Sequence, residues 1–228
     1  MNAEKIIKVY FISGLAADRR AFQFINLPEG FETVYLDWQS FHKGESMQSY
    51  AWRLAEKIDT TNPFVLLGLS MGGMLATEIA KIYKPLLTIL ISSVPVSTSL
   101  PNIYKLAALT KIYRVIPGGW LKSASLAKRL FARETKEVKA ILRQIIKDSD
   151  PKIIRDAVHA IVTWENTWIP PNLLHIHGTK DELLPYRKVN ALYNITGGSH
   201  LMVLSQAKEI NIILHEALSG LKKGVKNI

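Results

Sequence analysis

Apolar positions along the chain fall into short continuous runs, separated by segments whose apolar residues recur every three or four positions. Ile6 to Ile12 is a compact apolar run that stops at Ser13-Gly14, and Phe31 to Leu36 is a second, ending in Asp37-Trp38. Phe64 to Leu69 follows Pro63 and is too short for a helix. Leu86 to Ile91, Asn172 to His177 and Ala191 to Ile195 complete the set. Met47 to Ile58 carries Ala51, Leu54, Ala55 and Ile58 at helical spacing, and Met71 to Tyr83 and Ile210 to Leu218 also read as helices. Continuous apolar strands alternating with helices predict an α/β fold, with a mostly parallel sheet covered on both faces. Right-handed crossovers then gather the strand-to-helix loops on one edge of that sheet.

The middle of the chain breaks this rhythm. Between Val94 and Pro171 helical patterns run from Ile103 to Arg114, Leu121 to Phe131, Thr135 to Lys147 and Lys152 to Trp164, with no convincing strand. Pro117-Gly118-Gly119 and Asp150-Pro151 punctuate them. The expected organisation is a core made of residues 1–94 and 171–228, with residues 95–170 inserted as a helical cap over the loop edge.

Chemistry enters at Gly68-Leu69-Ser70-Met71-Gly72, which matches G-x-S-x-G. The pattern alone is weak. Here an apolar strand runs into it and a helix leaves it, which is the setting a strained nucleophile turn needs. Gly68 and Gly72 are the elbow glycines, placed where backbone must pass close to the turn. A serine hydroxyl needs a base to act as a nucleophile. Of the six histidines, His200 follows the last strand through Gly197-Gly198-Ser199 and so lies at the same edge as Ser70. His175 and His177 lie within a strand, and His159 and His215 on helices. The base needs an orienting carboxylate. Asp181 stands just past the strand ending at His177-Gly178, with Glu182 as its main competitor and Asp37 as a remoter one. Two donors are required for a developing oxyanion. The backbone N–H of Met71 and that of Leu15, in the loop after the first strand, are the candidates. Trp38, at another strand end, and cap aromatics such as Tyr104, Tyr113, Trp120 and Trp164 could line a site or simply pack.

With these segments in place the chain resembles the α/β-hydrolase superfamily over nearly its whole length. Phe11 to Leu15 resembles the oxyanion segment and Gly68 to Gly73 the elbow. His177-Gly178-Thr179-Lys180-Asp181 resembles the acid segment and Gly197 to His200 the base segment. The resemblance implies a sheet of about six strands, without the two leading antiparallel strands common in the family, and a cap that shapes an acyl pocket. One departure is Ser13, where many members carry a histidine that braces the loop. The implied function is a cofactor-free, metal-free serine hydrolase acting on a carboxylic ester or thioester through an acyl-enzyme on Ser70. A non-catalytic small-molecule receptor, or a lyase or C–C hydrolase with the same triad, are the alternatives on this scaffold.

Composition narrows the picture further. There is no cysteine, which removes disulfides and thiolate metal sites and fits a cytoplasmic protein. No apolar run reaches the ~20 residues of a membrane span. The net charge is +10, and residues 96–160, within the expected cap, hold thirteen basic against five acidic residues, so eight of the ten net charges fall in that block. Solvated helix faces account for such a block. As a functional feature it would favour a substrate bearing negative charge. No nucleic-acid motif accompanies it.

Overall fold

The computed structural model describes residues 6–111 and 134–225. The chain begins with β1 (Ile7–Ile12) and β2 (Phe31–Tyr35), followed by α1 (Met47–Ala55), β3 (Phe64–Leu69), α2 (Met71–Ile82) and β4 (Leu87–Ile91). Three helices of the described residues then intervene: α3 (Asn102–Thr110), α4 (Lys136–Asp148) and α5 (Pro151–Val162). The core resumes with β5 (Leu173–Gly178), β6 (Tyr193–Ile195), the single turn α6 (Met202–Ser205) and α7 (Ala207–Val225). The expected helix from Leu121 to Phe131 lies outside the described residues.

The six strands form one sheet in the order β2-β1-β3-β4-β5-β6, and every neighbouring pair is parallel. Alternation along each strand sends its side chains to two separate cores. Tyr10, Ile12, Leu66 and Leu90 pack with α1 and α2 on one face. Val9, Phe11, Val65, Leu67, Ile89, Ile91 and Ile176 pack with Ile210, Leu214 and Leu218 of α7 on the other. Both faces of β3 are therefore apolar, which is why Phe64 to Leu69 reads as an unbroken run.

The intervening helices straddle the sheet. Ala157, Ala160 and Ile161 of α5 join the first core, and Val138 and Leu142 of α4 join the second. Of these, α4 and α5 each start on a cap that sequence favours. Thr135 accepts from Val138 N–H at 3.2 Å, and Asp150 accepts from Lys152 N–H at 2.7 Å with Pro151 in the first turn. The segment returns to the core through a buried polar knot. Trp164 Nε1–H donates to Glu78 of α2 at 2.8 Å, and Asn166 Nδ2–H donates to Pro95 O at 2.6 Å.

Some elements differ in extent from their sequence patterns, and α1 ends at Ala55, short of Ile58. β6 begins at Tyr193 and not at Ala191, because it is an edge strand paired only through Tyr193, Asn194 and Ile195, and Leu192 points to solvent. Ile210 to Leu218 sits within α7, which is longer because polar residues on its solvent face do not interrupt the helix. Among the described residues no helix is long and apolar enough to cross a membrane.

Candidate active site

Parallel strands in register end together. Ile12 pairs with Gly68, Leu69 with Ile91, Ile91 with Ile176, and Gly178 with Ile195. The segments after β1, β3, β5 and β6 thus open on one edge, and they carry Leu15, Ser70, Asp181 and His200.

Ser70 sits between β3 and α2 with φ 53° and ψ −120°. A non-glycine residue in that region stores about 1–3 kcal/mol and persists only where its surroundings hold it. Here Ser70 N–H donates to Ile91 O at 3.0 Å. Its carbonyl accepts from Gly73 N–H at 2.9 Å and from the Ser93 hydroxyl at 2.6 Å. The two glycines make the turn possible by close approach. A Cβ on Gly68 would overlap the Gly72 carbonyl, and one on Gly72 would overlap the Ile12 carbonyl.

The hydroxyl so presented lies 2.9 Å from His200 Nε2. His200 Nδ1 lies 2.8 Å from Asp181 Oδ2 and 3.0 Å from Oδ1. A carboxylate only accepts, so Nδ1 carries the proton and Nε2 is left to accept from Ser70. Asp181 Oδ1 also accepts from Leu183 N–H at 2.9 Å and Leu184 N–H at 2.8 Å. Burial opposes ionisation of Asp181 most strongly. The charge and hydrogen bond of His200, with Leu184 N–H and His177, still hold its carboxyl below the ordinary range. The competing acids are elsewhere: Glu182 is exposed, and Asp37 pairs with Arg19 at the surface. His42 and His215 are exposed as well.

Leu15 and Met71 flank Ser70 from the β1 loop and the first position of α2. Neither N–H takes part in the turn and loop hydrogen bonds of the described residues. The loop of Leu15 is braced by Ser13, whose hydroxyl donates to Ala17 O at 2.9 Å and accepts from Trp38 Nε1–H at 2.8 Å. Ser13 and Trp38 thus form a brace where a histidine is common in the family. Sequence reading missed this partnership, because the two residues lie on different strand ends and only the β1–β2 pairing brings them together. Ser13→Ala is expected to lower kcat about tenfold while leaving KM within about twofold, the pattern of an interaction that matters mainly in the transition state. Steady-state kinetics on a simple ester check it.

A cavity of about 260 Å³ opens on Ser70 and His200. Leu142, Ile145 and Ile146 of α4 and Ile154, Val158 and Ile161 of α5 form its walls. Tyr104 reaches it from α3. Among the described residues, none of its lining side chains is an acid, a lysine or an arginine. A second cavity of about 240 Å³ shares Ala16, Ala17, Ile145 and Ile154 with the first. Its rim is acidic, with Asp18, Asp37, Asp148 and Asp150, and Arg20 ties Asp18 of the core to Asp148 of α4. Basic residues of α4 and α5 such as Lys136, Arg143, Lys152 and Arg155 are exposed to solvent. Five of the thirteen basic residues of the block lie outside the described residues. Among the described residues, then, no part of the basic block lines the cavity that opens on Ser70. No group of three or more potential metal ligands occurs among the described residues.

A six-stranded parallel sheet with helices on both faces, and a serine held on a strained strand-to-helix turn at its edge, define an enzyme of the hydrolase class. The chain belongs to the alpha/beta hydrolase family, whose model matches residues 9–211. Solved structures similar to it include a thermophilic esterase from Thermogutta terrifontis with malate bound, at 18% identity and a TM-score of 0.65 over 96% of this chain and 92% of that one. The enol-lactonase from Burkholderia xenovorans LB400 is similar at 15% identity and a TM-score of 0.70, over 97% and 93% of the two chains. A bromoperoxidase from Bacillus anthracis is similar at 18% and 0.70, over 96% and 92%. At these identities the likeness is one of fold. No curated protein matches the sequence.

Proposed function

We propose that this protein hydrolyses uncharged carboxylic esters or thioesters with an aliphatic acyl group, through an acyl-enzyme on Ser70. The observation that carries the reading is the continuous chain from Ser70 Oγ through His200 to Asp181, at the floor of an apolar cavity. Ser70 Oγ attacks the ester carbonyl carbon while His200 Nε2 takes the hydroxyl proton. Asp181 holds the imidazole in the tautomer that leaves Nε2 free and stabilises the imidazolium that forms. The oxyanion lies against the Leu15 and Met71 N–H groups at the N-terminus of α2, where the helix dipole favours negative charge. His200 then protonates the leaving alcohol or thiol, and water enters by the reverse of the same steps. Residues 95–170 act as the cap, with α4 and α5 forming the acyl wall over a core of residues 1–94 and 171–228. Support comes from the similar structures of an esterase and an enol-lactonase, whose names both denote ester hydrolysis.

Each methylene buried in such a cavity contributes about 0.8 kcal/mol, or about fourfold in kcat/KM. Activity should therefore climb from acetyl to medium-chain esters until the cavity is full. Val158→Trp fills the wall from α5. It is expected to lower kcat/KM for a medium-chain ester at least about tenfold and to leave the acetyl ester within about threefold. Rapid mixing with a p-nitrophenyl ester tests the mechanism itself. A burst of one p-nitrophenolate per active site is expected where deacylation is slow, and absence of any Ser70-dependent hydrolysis across the ester and thioester series overturns the proposal.

A further inference from the structure

β5 carries two histidines two residues apart, on the face opposite Leu174 and Ile176. Both imidazoles are buried, with His177 at 0% exposure, and their rings meet edge to face at 5.4 Å. A buried imidazole is costly unless its nitrogens are partnered. His175 Nε2 lies 3.0 Å from Ser93 O, and the Ser93 hydroxyl is the donor that holds the Ser70 carbonyl. His177 Nε2 lies 2.8 Å from Leu184 O and 3.4 Å from Asp181 Oδ2. Both of those oxygens only accept, so His177 Nε2 bears the proton. Its Nδ1 is then an acceptor, and it is buried without a partner among the described residues. The neutral ring thus gives up one hydrogen bond to commit its single donor to the acid loop.

The placement acts on both carboxylate oxygens. Leu184 receives the His177 proton on its carbonyl and gives its own N–H to Asp181 Oδ1. The same His177 N–H lies beside Oδ2, the oxygen nearest His200. The titratable groups facing His177 are Asp181 on the acid loop, His200 on the base loop and His175 on its own strand. Burial holds His177 below the ordinary imidazole value, and the Asp181 carboxylate opposes that only in part, so the ring is neutral around neutral pH.

We propose that His177 is a positioning residue for the reaction: its Nε2–H fixes the rotation of the Asp181 carboxylate and the Leu184 turn, and through them the orientation of His200. The proposal rests on the acyl-enzyme reading above. Removing the donor frees the Leu184 carbonyl and takes the N–H dipole away from Asp181 Oδ2, 3.4 Å off, so the carboxylate pulls harder on the imidazolium proton and its loop is held less firmly.

His177→Leu and His177→Gln separate this role from simple packing, since Gln can place an amide N–H near the Nε2 position. His177→Leu is expected to lower kcat about tenfold with KM within about twofold, and to move the acid limb of kcat/KM up by about half a pH unit. His177→Gln should recover most of both. A folded Leu variant with unchanged kcat and acid limb overturns the proposal, and so does a Gln variant that behaves like Leu. Should the Leu variant not fold, wild-type protein carrying isotope-labelled histidine decides by magnetic resonance. A neutral His177 with Nε2 protonated is expected throughout the neutral range, with its signal moving when Ser70 is phosphonylated. The other tautomer, an imidazolium, or a signal indifferent to that adduct contradicts it. The tautomer is read without substrate, so its failure is distinct from an absence of esterase activity.

Discussion

Ser70→Ala is expected to reduce kcat for ester hydrolysis by about a million-fold, to the level left by binding and oxyanion stabilisation alone. The size follows from what the hydroxyl does. In the proposed reaction it is the attacking atom, 2.9 Å from His200 Nε2, and without it His200 can at best activate a water that the turn does not hold. The fold should survive, because the hydrogen bonds that shape the turn come from the Ser70 backbone and alanine keeps the Cβ. Far-ultraviolet circular dichroism and the thermal midpoint should therefore stay close to wild type. His200→Ala should cost a similar factor, and the double variant little more than either single one, since the pair acts as a unit. A His200→Ala enzyme with near wild-type turnover would mean that the 2.9 Å contact is incidental.

The second large effect is Asp181→Asn, expected to lower kcat by about ten-thousandfold. Asparagine keeps an oxygen for Leu183 and Leu184 N–H, so the loop can hold its shape. Its amide nitrogen then stands where Oδ2 was, facing the His200 Nδ1–H donor, with His177 Nε2 3.4 Å away. His200 relieves the conflict by moving its proton to Nε2, which is the tautomer that cannot accept from Ser70. The loss thus falls on kcat and not on KM, and steady-state kinetics read the difference. Glu182→Gln should leave both parameters near wild type, because Glu182 is exposed and is not the carboxylate bonded to His200.

The elbow was legible because several levels of sequence agreed there. An apolar strand, two glycines with no room for a Cβ, and a helix with small residues on its inner face all point to one turn. The strand-end rule then placed Asp181 and His200 at the same edge. What stayed hidden were partnerships across the edge. Ser13 and Trp38 are unremarkable alone and meet only when β1 and β2 pair. His175 and His177 read as strand residues that could simply be packed, and their link to Ser93 and Asp181 depends on loop geometry that no periodicity encodes. The charge of the central block reads in the sequence as solvated helix faces, and its described part agrees, with Lys136, Arg143, Lys152 and Arg155 exposed. Amphipathic helices put lysine and arginine on the solvent face while leucine and isoleucine line the cavity, so net charge along the sequence does not describe the site.

The central claim is that Ser70 is a nucleophile activated by His200 and Asp181. Intact-mass and peptide mass spectrometry after brief exposure to a fluorophosphonate tests it without any choice of substrate. The account predicts one adduct per chain, located on Ser70, formed rapidly in wild type, slowly in Asp181→Asn, and not at all in Ser70→Ala. Folded wild-type protein that stays unlabelled, or labelling that persists in Ser70→Ala, would contradict it.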